Sequence, residues 1–302
     1  MPDPSDVRTG SPPCGSVAAA PLSIGECASL ACLLEATAAK PGNVHRGADF
    51  DGMTFADLIL SAAVIAPSME RAPRQRVGET VLSAVRATRA AVRQNTNLGI
   101  ILLLAPLAKV PRELPVRAGI GQVLAELDVA DAVQAYTAIR IAQPGALGHD
   151  QRADVREDPQ LTLAAAMGLA ADRDLVARQY ANQYHEVLEL VLPRLVAGPR
   201  QGWPLSQTIV HTHVWLLGQL PDSLIARKCG VQVAREASAR AAAAVRAGGP
   251  LDPPYQAALR DLDCWLRADG HRRNPGTTAD LITAGLFVGL REGQLERPLV
   301  FY

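Results

Sequence analysis

Aromatic residues are scarce in this sequence. They make up 4% of the 302 residues, whereas 48% of the residues are hydrophobic, and alanine and leucine dominate. Strands prefer aromatic and β-branched side chains, while alanine and leucine favour helices. The hydrophobic fraction is large enough to build a sizeable core. The composition therefore predicts an all-α fold and excludes disorder for most of the chain.

An excess of charge is also lacking. Thirty basic and thirty acidic side chains give a formal net charge of zero. No overall field would attract nucleic acid or an anionic membrane, so neither is an expected partner. Any site that binds an anion must then be a local cluster of positive groups. A homo-oligomer is compatible with the sequence, which gives no further indication of assembly.

Several common signals are missing. The five scattered cysteines form no C-x-x-C pair, which argues against zinc or redox chemistry and favours buried reduced thiols. The longest apolar run, 98–110, is shorter than the roughly 20 residues needed to span a bilayer. The N-terminus lacks the pattern of a signal peptide, so a cytoplasmic location is expected. The usual NTPase, dinucleotide, zinc-protease and hydrolase motifs are absent.

The periodicity of the sequence predicts one helical domain. Residues 1–22 contain five prolines and little periodicity, and they are predicted to be a disordered leader. Residues 23–302 are predicted to form a single all-helical catalytic domain of ten or more helices. The predicted helices lie at 23–38, 54–66, 76–94, 100–107, 114–127, 128–142, one or two within 161–197, 206–220, 222–247, 251–268 and beyond 277.

The most informative polar stretch is GHRRNPGTTADL, at 270–281. Three of its residues supply positive charge: His271, Arg272 and Arg273. The Asn-Pro-Gly that follows forces a turn, and Thr277 with Asp280 has the spacing of a capping box that opens a helix. The first turn of a helix favours anions, so a polyphosphate would fit there. The alternative is a plain loop before a capped helix.

A second polar stretch, KPGNVHRGADFDGMTFAD, spans 40–57. It contains four acid or base candidates: His45, Asp49, Asp51 and Asp57. Asp49 and Asp51 could aim both carboxylates at a hard cation such as Mg²⁺, or could simply form turns. Asp57 is interpreted as the capping-box partner of Thr54.

Three further polar features allow more than one interpretation. The segment NTNLG, at 95–99, either caps two helices or lines a pocket between them. The acidic loop 144–159 either binds a metal–nucleotide or is a surface excursion. His211 and His213 point to opposite sides of a predicted helix and cannot chelate one ion, so each is predicted to be either hydrogen-bonded or exposed.

Three motifs lie in order along this helical chain: KPGNV at 40–44, NTNLG at 95–99 and NPGTTADL at 274–281. The ordered set resembles the triphosphoribosyl-dephospho-CoA synthase family, from about residue 23 to residue 290. The resemblance implies an all-α transferase that uses ATP. It would move the 5-triphosphoribosyl group of ATP to the 2′-hydroxyl of 3′-dephospho-CoA and release adenine.

The resemblance also implies roles for individual residues. The residues expected to bind the nucleotide are Lys40, Gly42, Asn95, Thr96, Gly99, Arg272, Arg273, Gly276 and Thr277. The residues expected to hold Mg²⁺ are Asp49, Asp51 and Asp154, with Asp280 as a further candidate. Cleavage of an N-glycosidic bond needs a carboxylate near the ribose carbon, a general base and an acid. Glu35 or Asp280 is the expected base, and His45 is the expected acid.

The chain departs from the family pattern at two places. His45 stands where citrate-lyase members have an aspartate, and Asn97-Leu98 replaces a histidine and a basic residue. The departures suggest a divergent branch, such as a ribosyl-type transferase of one-carbon cofactor biosynthesis that uses another CoA-like or unrelated acceptor. A non-catalytic nucleotide-binding protein and a helical scaffold are also compatible with the sequence. Free adenine would distinguish the transferase from these two non-catalytic proteins.

Overall fold

The computed structural model describes residues 20–143, 157 and 159–302. Most of the predicted leader and nearly all of the loop 144–159, including Asp154, lie outside these residues. The described part of the chain contains fourteen α-helices and two isolated β-bridges but no longer strand, so the all-α prediction is confirmed. Within the same ranges, no helix has both the length and the apolar character needed to cross a membrane.

The fourteen helices of the described residues lie in this order along the chain. They are α1 Ile24–Thr37, α2 Phe55–Arg71, α3 Val77–Val92, α4 Leu98–Lys109, α5 Val116–Ala125, α6 Val129–Ala142, α7 Leu163–Gly168, α8 Leu175–Ala181, α9 Leu192–Arg200, α10 Leu205–Gln219, α11 Ser223–Cys229, α12 Val231–Arg246, α13 Pro253–Arg267 and α14 Gly276–Arg291. A 3-10 turn at Ala72–Arg74 follows α2, and a π-helical turn at Glu186–Val191 leads into α9.

Local capping explains where several helices begin. The capping boxes of Ser23 with Glu26 and of Thr54 with Asp57 are both formed, which confirms the predicted starts of α1 and α2. Asp128 caps α6 as predicted. Each cap satisfies first-turn N–H groups that would otherwise lack a partner.

Two predicted features of the helices are wrong. The predicted helix 222–247 is two helices, because Gly230 adopts φ +91° between α11 and α12. The segment 161–197 is divided further than predicted, since Gln183 and Tyr184 adopt φ +57° and +63° before the π-helical turn.

The core is built around α14. Fourteen of its sixteen residues are buried, and the two exceptions are Gly276 and Asp280 in its first two turns. Helices α1, α4, α9 and α10 pack around α14, while α2 and α3 form the next layer on α1 and α4. A second apolar cluster joins α10 to α11, α12 and α13. The start of α14 therefore lies inside the protein and is still accessible at two positions.

Tyrosine hydroxyls stabilise the middle of α4. Pro106 has no N–H to donate to the carbonyl of Leu102, and the Tyr180 hydroxyl donates to that oxygen instead at 2.7 Å. The Tyr184 hydroxyl donates to the carbonyl of Leu103 at 2.9 Å. These bonds fix α8 and the residues before the π-helical turn against the middle of α4.

Candidate active site

A pocket of about 80 Å³ lies where the first turns of α4 and α14 meet α1 and α2. Its polar side chains come from five separate segments of the chain: Glu35, Asn43, Ser61, Thr96, Asn97, Asn274 and Asp280. All three motifs singled out in the sequence contribute to this lining. The pocket is much smaller than the roughly 300 Å³ or more that encloses a whole drug-sized ligand, so it is sized for one part of a nucleotide.

Glu35 enters the pocket from the last turns of α1 and is held by a buried lysine. The Lys40 ammonium lies 2.8 Å from Glu35 Oε1 and also donates to the carbonyls of Glu35 and Ala38. Lys40 has no exposed surface, and Glu35 is 7% exposed. The three donors of the ammonium are therefore used within the protein, and Lys40 supports the charge on the carboxylate rather than contacting a ligand.

Asp280 faces Glu35 from the second turn of α14. Burial raises the pKa of Asp280 well above its usual value, and nearby Glu35, Asp222 and Asp174 raise it further. Part of the side chain is accessible from the pocket, although protein surrounds it on the other sides. Because a carboxylate here would be poorly solvated and repelled by Glu35, the surroundings of Asp280 favour its protonated form.

Gly99 leaves the space that the Asp280 carboxyl group occupies. A Cβ atom at Gly99 would lie 2.0 Å from Asp280 Oδ2, closer than any real contact. Any other residue at this position of α4 would have to displace the carboxyl group. Gly99 therefore positions Asp280, which is a different role from the nucleotide contact that the sequence suggested.

The start of α14 is fixed by Asp222. Its carboxylate accepts hydrogen bonds from the N–H and hydroxyl of Thr278 and from the N–H groups of Leu224 and Ile225, at 2.7–3.0 Å. The predicted capping box of Thr277 with Asp280 is wrong, because Pro275 is the N-cap and Thr277 lies inside the helix. The Thr277 hydroxyl accepts from Ser223 Oγ instead, so the Asp280 side chain is not needed as a cap.

The KPGN and NPG motifs are joined across the mouth of the pocket. Gly42 adopts φ +75°, and a Cβ there would lie 2.8 Å from the Cβ of Leu266. The next residue, Asn43, donates through Nδ2 to Asn274 Oδ1 at 2.7 Å. Only glycine satisfies both the conformation and the close approach at position 42, so Gly42 has a structural role here.

The NTNLG segment caps only α4, rather than two helices, and it also lines the pocket. Asn95 Oδ1 accepts the N–H of Leu98 at 3.1 Å. Thr96 and Asn97 line the pocket, and the hydroxyls of Thr96 and Ser61 are 2.5 Å apart. Gly276, from the third motif, lines the pocket as well, whereas Thr277 does not.

His45 does not line the pocket, although its neighbours Asn43 and Val44 do. Its Nδ1 accepts the N–H of Gly47 at 3.1 Å, and its backbone pairs with Ala48 in a tight turn. Burial, together with the charges of Arg267 and Lys40, lowers the pKa of His45. A neutral imidazole outside the pocket is poorly suited to the expected role of acid.

The two arginines of the GHRRNPG stretch also lie outside the pocket lining. Arg273 donates to the carbonyl of Trp265 and stacks over that ring at 4.4 Å. Arg272 donates to the carbonyl of Lys228 at 2.8 Å at the end of α11. These two contacts place Arg272 beside a second cation and turn Arg273 towards α13.

The described residues do not form a metal site from protein groups alone. Nowhere in the described ranges do three or more His, Cys, Asp or Glu side chains come together with a geometry that could hold a metal ion. Asp49 Oδ1 accepts the N–H of Phe55 at the start of α2, and Asp51 is exposed in the preceding turn. The residues near the pocket thus fit no resident Mg²⁺, and Asp154 lies outside the described residues.

Sequence reasoning missed the asparagines Asn43, Asn97 and Asn274, although each sits inside a motif that it had singled out. Their position within these motifs was the available signal. The prediction for His213 is wrong: the side chain is fully buried and neither ring nitrogen has a hydrogen-bond partner in the described structure. Burial and nearby Lys40 lower the pKa of His213 well below its usual value.

Comparisons with known proteins identify the family and the fold. The sequence model of the ATP:dephospho-CoA triphosphoribosyl transferase family matches residues 21–298. The fold is similar to a crystal structure from Archaeoglobus fulgidus that was provisionally assigned as a triphosphoribosyl-dephospho-CoA synthase. That similarity has a TM-score of 0.61 and 26% identity, and it covers 77% of this chain and 98% of the other. No curated protein matches the chain.

Proposed function

Because the chain belongs to the ATP:dephospho-CoA triphosphoribosyl transferase family, we propose that the pocket between α1, α4 and α14 is where it performs this transfer. The reaction takes ATP and dephospho-CoA and releases adenine. The single observation that supports this location is the pair Glu35 and Asp280. They are two carboxyl groups in one small pocket: Glu35 forms an ion pair with buried Lys40, whereas burial raises the pKa of Asp280.

The different surroundings of the two groups suggest their roles. Glu35 forms an ion pair with Lys40 and is the charged partner. Asp280 has a pKa raised by burial, so its surroundings favour the protonated form. Pairs of acids whose environments separate their states are the usual source of an acid and a base in one site. We therefore assign the base to Glu35 and the acid to Asp280, in place of His45.

The transfer breaks one bond and forms one. The glycosidic bond between the ribose C1′ of ATP and adenine N9 breaks, and the bonding electrons leave with adenine. Asp280 donates its proton to the departing base. The acceptor hydroxyl forms the new bond to C1′ and gives its proton to Glu35. The negative charge of Glu35 also stabilises the positive charge that develops on C1′ in the transition state. Proton transfer of this kind contributes roughly 10² to 10⁴ in rate.

We propose that the triphosphate of ATP binds to the positively charged side chains around Arg272. The ammonium of Lys228 has no hydrogen-bond or ion-pair partner among the residues that the structure describes, and Arg227 and Arg272 lie next to it. Burial and these two arginines lower the pKa of Lys228. A cluster of positive groups that lacks a full set of counter-charges would be stabilised by a polyphosphate. Arg227 already pairs with Asp174 at 3.4 Å.

We propose that any Mg²⁺ enters with ATP. Such an ion is held mainly by phosphate oxygens and waters and needs only one or two protein carboxylates. Asp49 and Asp51 remain candidates for that contact, and no step of the transfer is assigned to the ion.

The proposal is tested by incubating the pure protein with ATP, Mg²⁺ and 3′-dephospho-CoA and following free adenine and the triphosphoribosylated product by mass spectrometry. Wild type should form both, and Glu35→Gln should form neither at a detectable rate. Glu236→Gln is the matched control, because Glu236 lies on the surface of α12 and pairs with Arg240. Adenine without the product would mean that dephospho-CoA is the wrong acceptor. Formation of neither by wild type would refute the proposed activity.

A further inference from the structure

Two polar atoms in the pocket lack hydrogen-bond partners in the described structure. They are Asn43 Oδ1, an acceptor, and Asn97 Nδ2, a donor. Both side chains line the pocket and are 6% exposed. The other amide atom of Asn43, Nδ2, is already used to donate to Asn274 Oδ1. The pocket therefore offers one unpaired acceptor and one unpaired donor that are shielded from bulk solvent.

The fold fixes both asparagines where they are. Asn43 directly follows Gly42, whose N–H donates to Asp263 Oδ1 at 2.7 Å, and the carbonyl of Asn43 accepts from Arg267 at 2.6 Å. Asn97 is the N-cap residue of α4, but its side chain caps no N–H group. Buried polar groups in proteins are nearly always hydrogen-bonded. Two such groups left unpaired beside a pair of carboxyl groups indicate a ligand that supplies both a donor and an acceptor.

We propose that Asn43 and Asn97 bind the hydroxyl groups of the ribose ring whose C1′ is transferred. This inference rests on the proposed function and specifies how the same pocket recognises its substrate. Glu35 and Asp280 must lie close to C1′, and the pocket of about 80 Å³ has room for little beyond one ring. Residues that share its walls with the two carboxyl groups therefore face the sugar. A hydroxyl both donates and accepts, so it can satisfy either amide atom.

The sugar is a better ligand for these amides than the adenine base. Adenine leaves during the reaction, whereas the ribose stays bound from substrate to product. Contacts to the 2′-hydroxyl also strengthen in transition states that resemble an oxocarbenium ion, so they assist the reaction as well as binding. Contacts to the base would instead hold the group that has to depart.

The test measures the dissociation constants of ATP, 2′-deoxy-ATP, 3′-deoxy-ATP and purine riboside triphosphate, without acceptor. For wild type, at least one deoxy analogue should bind about 10- to 100-fold more weakly than ATP, because the missing hydroxyl group leaves an asparagine amide unpaired. In Asn97→Ala or Asn43→Ala, ATP and that analogue should bind equally. Gln75→Ala removes a half-buried amide outside the pocket lining, whose buried Oε1 also lacks a partner among the described residues, and it should change nothing.

Three results would overturn the inference. Wild type could bind ATP and both deoxy analogues equally, or both alanine variants could retain the wild-type preference for ATP over the deoxy analogue. The third result is that the alanine variants lose only the preference for ATP over purine riboside triphosphate, which would assign the amides to the base. Absence of ATP binding would overturn it too. The binding data are separate from turnover. A protein that shows the predicted preferences but releases no adenine would support the ribose contacts and refute the transferase.

Discussion

The two ends of α14 each carry an ionisable side chain inside the protein, and the two side chains differ in the hydrogen bonds that the fold provides for them. Arg291, at the C-terminal end, is 5% exposed and donates to the carbonyls of Val110, Pro111 and Leu114. Asp280, near the N-terminal end, receives no hydrogen bond from any residue that the structure describes. Burial shifts the pKa of each group towards its neutral form, upward for Asp280 and downward for Arg291.

The difference indicates which buried charge is structural. The guanidinium of Arg291 ties the connection after α4 to the end of α14, because the protein itself supplies the acceptors. Asp222 is similar, since it accepts four hydrogen bonds within the fold. Asp280 makes no such bonds and borders a pocket, so its bonding capacity is left for a substrate. A buried ionisable group that the fold does not use is the better candidate for chemistry.

Asp280→Asn should have the largest effect, and its activity and stability should change in opposite directions. Loss of the acid should lower kcat/KM roughly 10²- to 10⁴-fold. The raised pKa of Asp280 means that the unfolded chain, but not the folded protein, loses this proton above about pH 4. Wild-type stability therefore falls as pH rises from there to the raised pKa, and Asn removes that penalty. Urea unfolding at pH 7 and pH 4 should show a more stable variant at pH 7 only. A variant that is less stable than wild type at both pH values would mean that Asp280, like Arg291, has a structural role.

Arg291→Met should show the reverse pattern. Three backbone carbonyls lose a charged donor, so the free energy of unfolding should fall by about 3 kcal/mol. The folded fraction should keep its kcat, because Arg291 lies at the far end of α14 from the pocket. Chemical denaturation and activity below the unfolding temperature measure the two quantities. Arg246→Met, at the end of α12, is the matched control. It should change the free energy of unfolding and kcat very little, since Arg246 forms no ion pair in the described structure. A large loss of kcat in Arg291→Met would remove the distinction between the two ends.

Gly99→Ala should act on activity through Asp280. The new methyl group would overlap the Asp280 carboxyl group and force it to move. We expect kcat to fall about 10-fold, in line with displacement of a catalytic group. Adding Gly99→Ala to Asp280→Asn should cost little more, because both changes affect one group. Gly168→Ala, which has no atom within 4 Å of the added Cβ, is the control. Independent, fully additive losses would mean that Gly99 has another role.

The smallest effect concerns the pH dependence of stability at His213. The folded protein resists protonation of this buried ring, whereas the unfolded chain accepts a proton below about pH 6.5. The contribution of His213 therefore makes the protein less stable as pH falls through that range, by about 1 kcal/mol between pH 6.5 and 5.5. His213→Leu should reduce this acid sensitivity in urea unfolding. His185→Leu, a change at an exposed histidine, should not. Equal acid sensitivity in wild type and His213→Leu would show that the buried ring is not responsible.

Much of the helical framework was predictable because it depends on local rules. Ser23 with Glu26, Thr54 with Asp57 and Asp128 mark helix starts through bonds between residues three apart. The same rule failed at Thr277 and Asp280, because Asp222 bonds to the N–H of Thr278 across 56 residues. No local pattern could reveal that bond. Gly230 broke a helix that its alanine-rich neighbours favoured.

The candidate site was predictable only in part. Glu35, Asp280, Thr96 and Gly276 do line one pocket, as the order of the motifs suggested. Lys40 and Gly99 lie next to those residues, yet they contact Glu35 and Asp280 instead of the pocket space. Arg273 and His45 point elsewhere. Sequence motifs indicate which segments meet, but a side chain's direction depends on packing from segments far along the chain.

The sequence by itself determined the helical class, most helix boundaries and the family to which the chain belongs. Those properties follow from composition, short-range capping and ordered motifs. Only the tertiary structure decided which ionisable groups have structural roles and which are available for catalysis. Glu35 and Asp280 have the same kind of side chain, and they differ because Lys40 lies beside one, whereas burial and nearby acids raise the pKa of the other. Protonation depends on surroundings in three dimensions, and the groups that set it come from residues up to 245 positions apart.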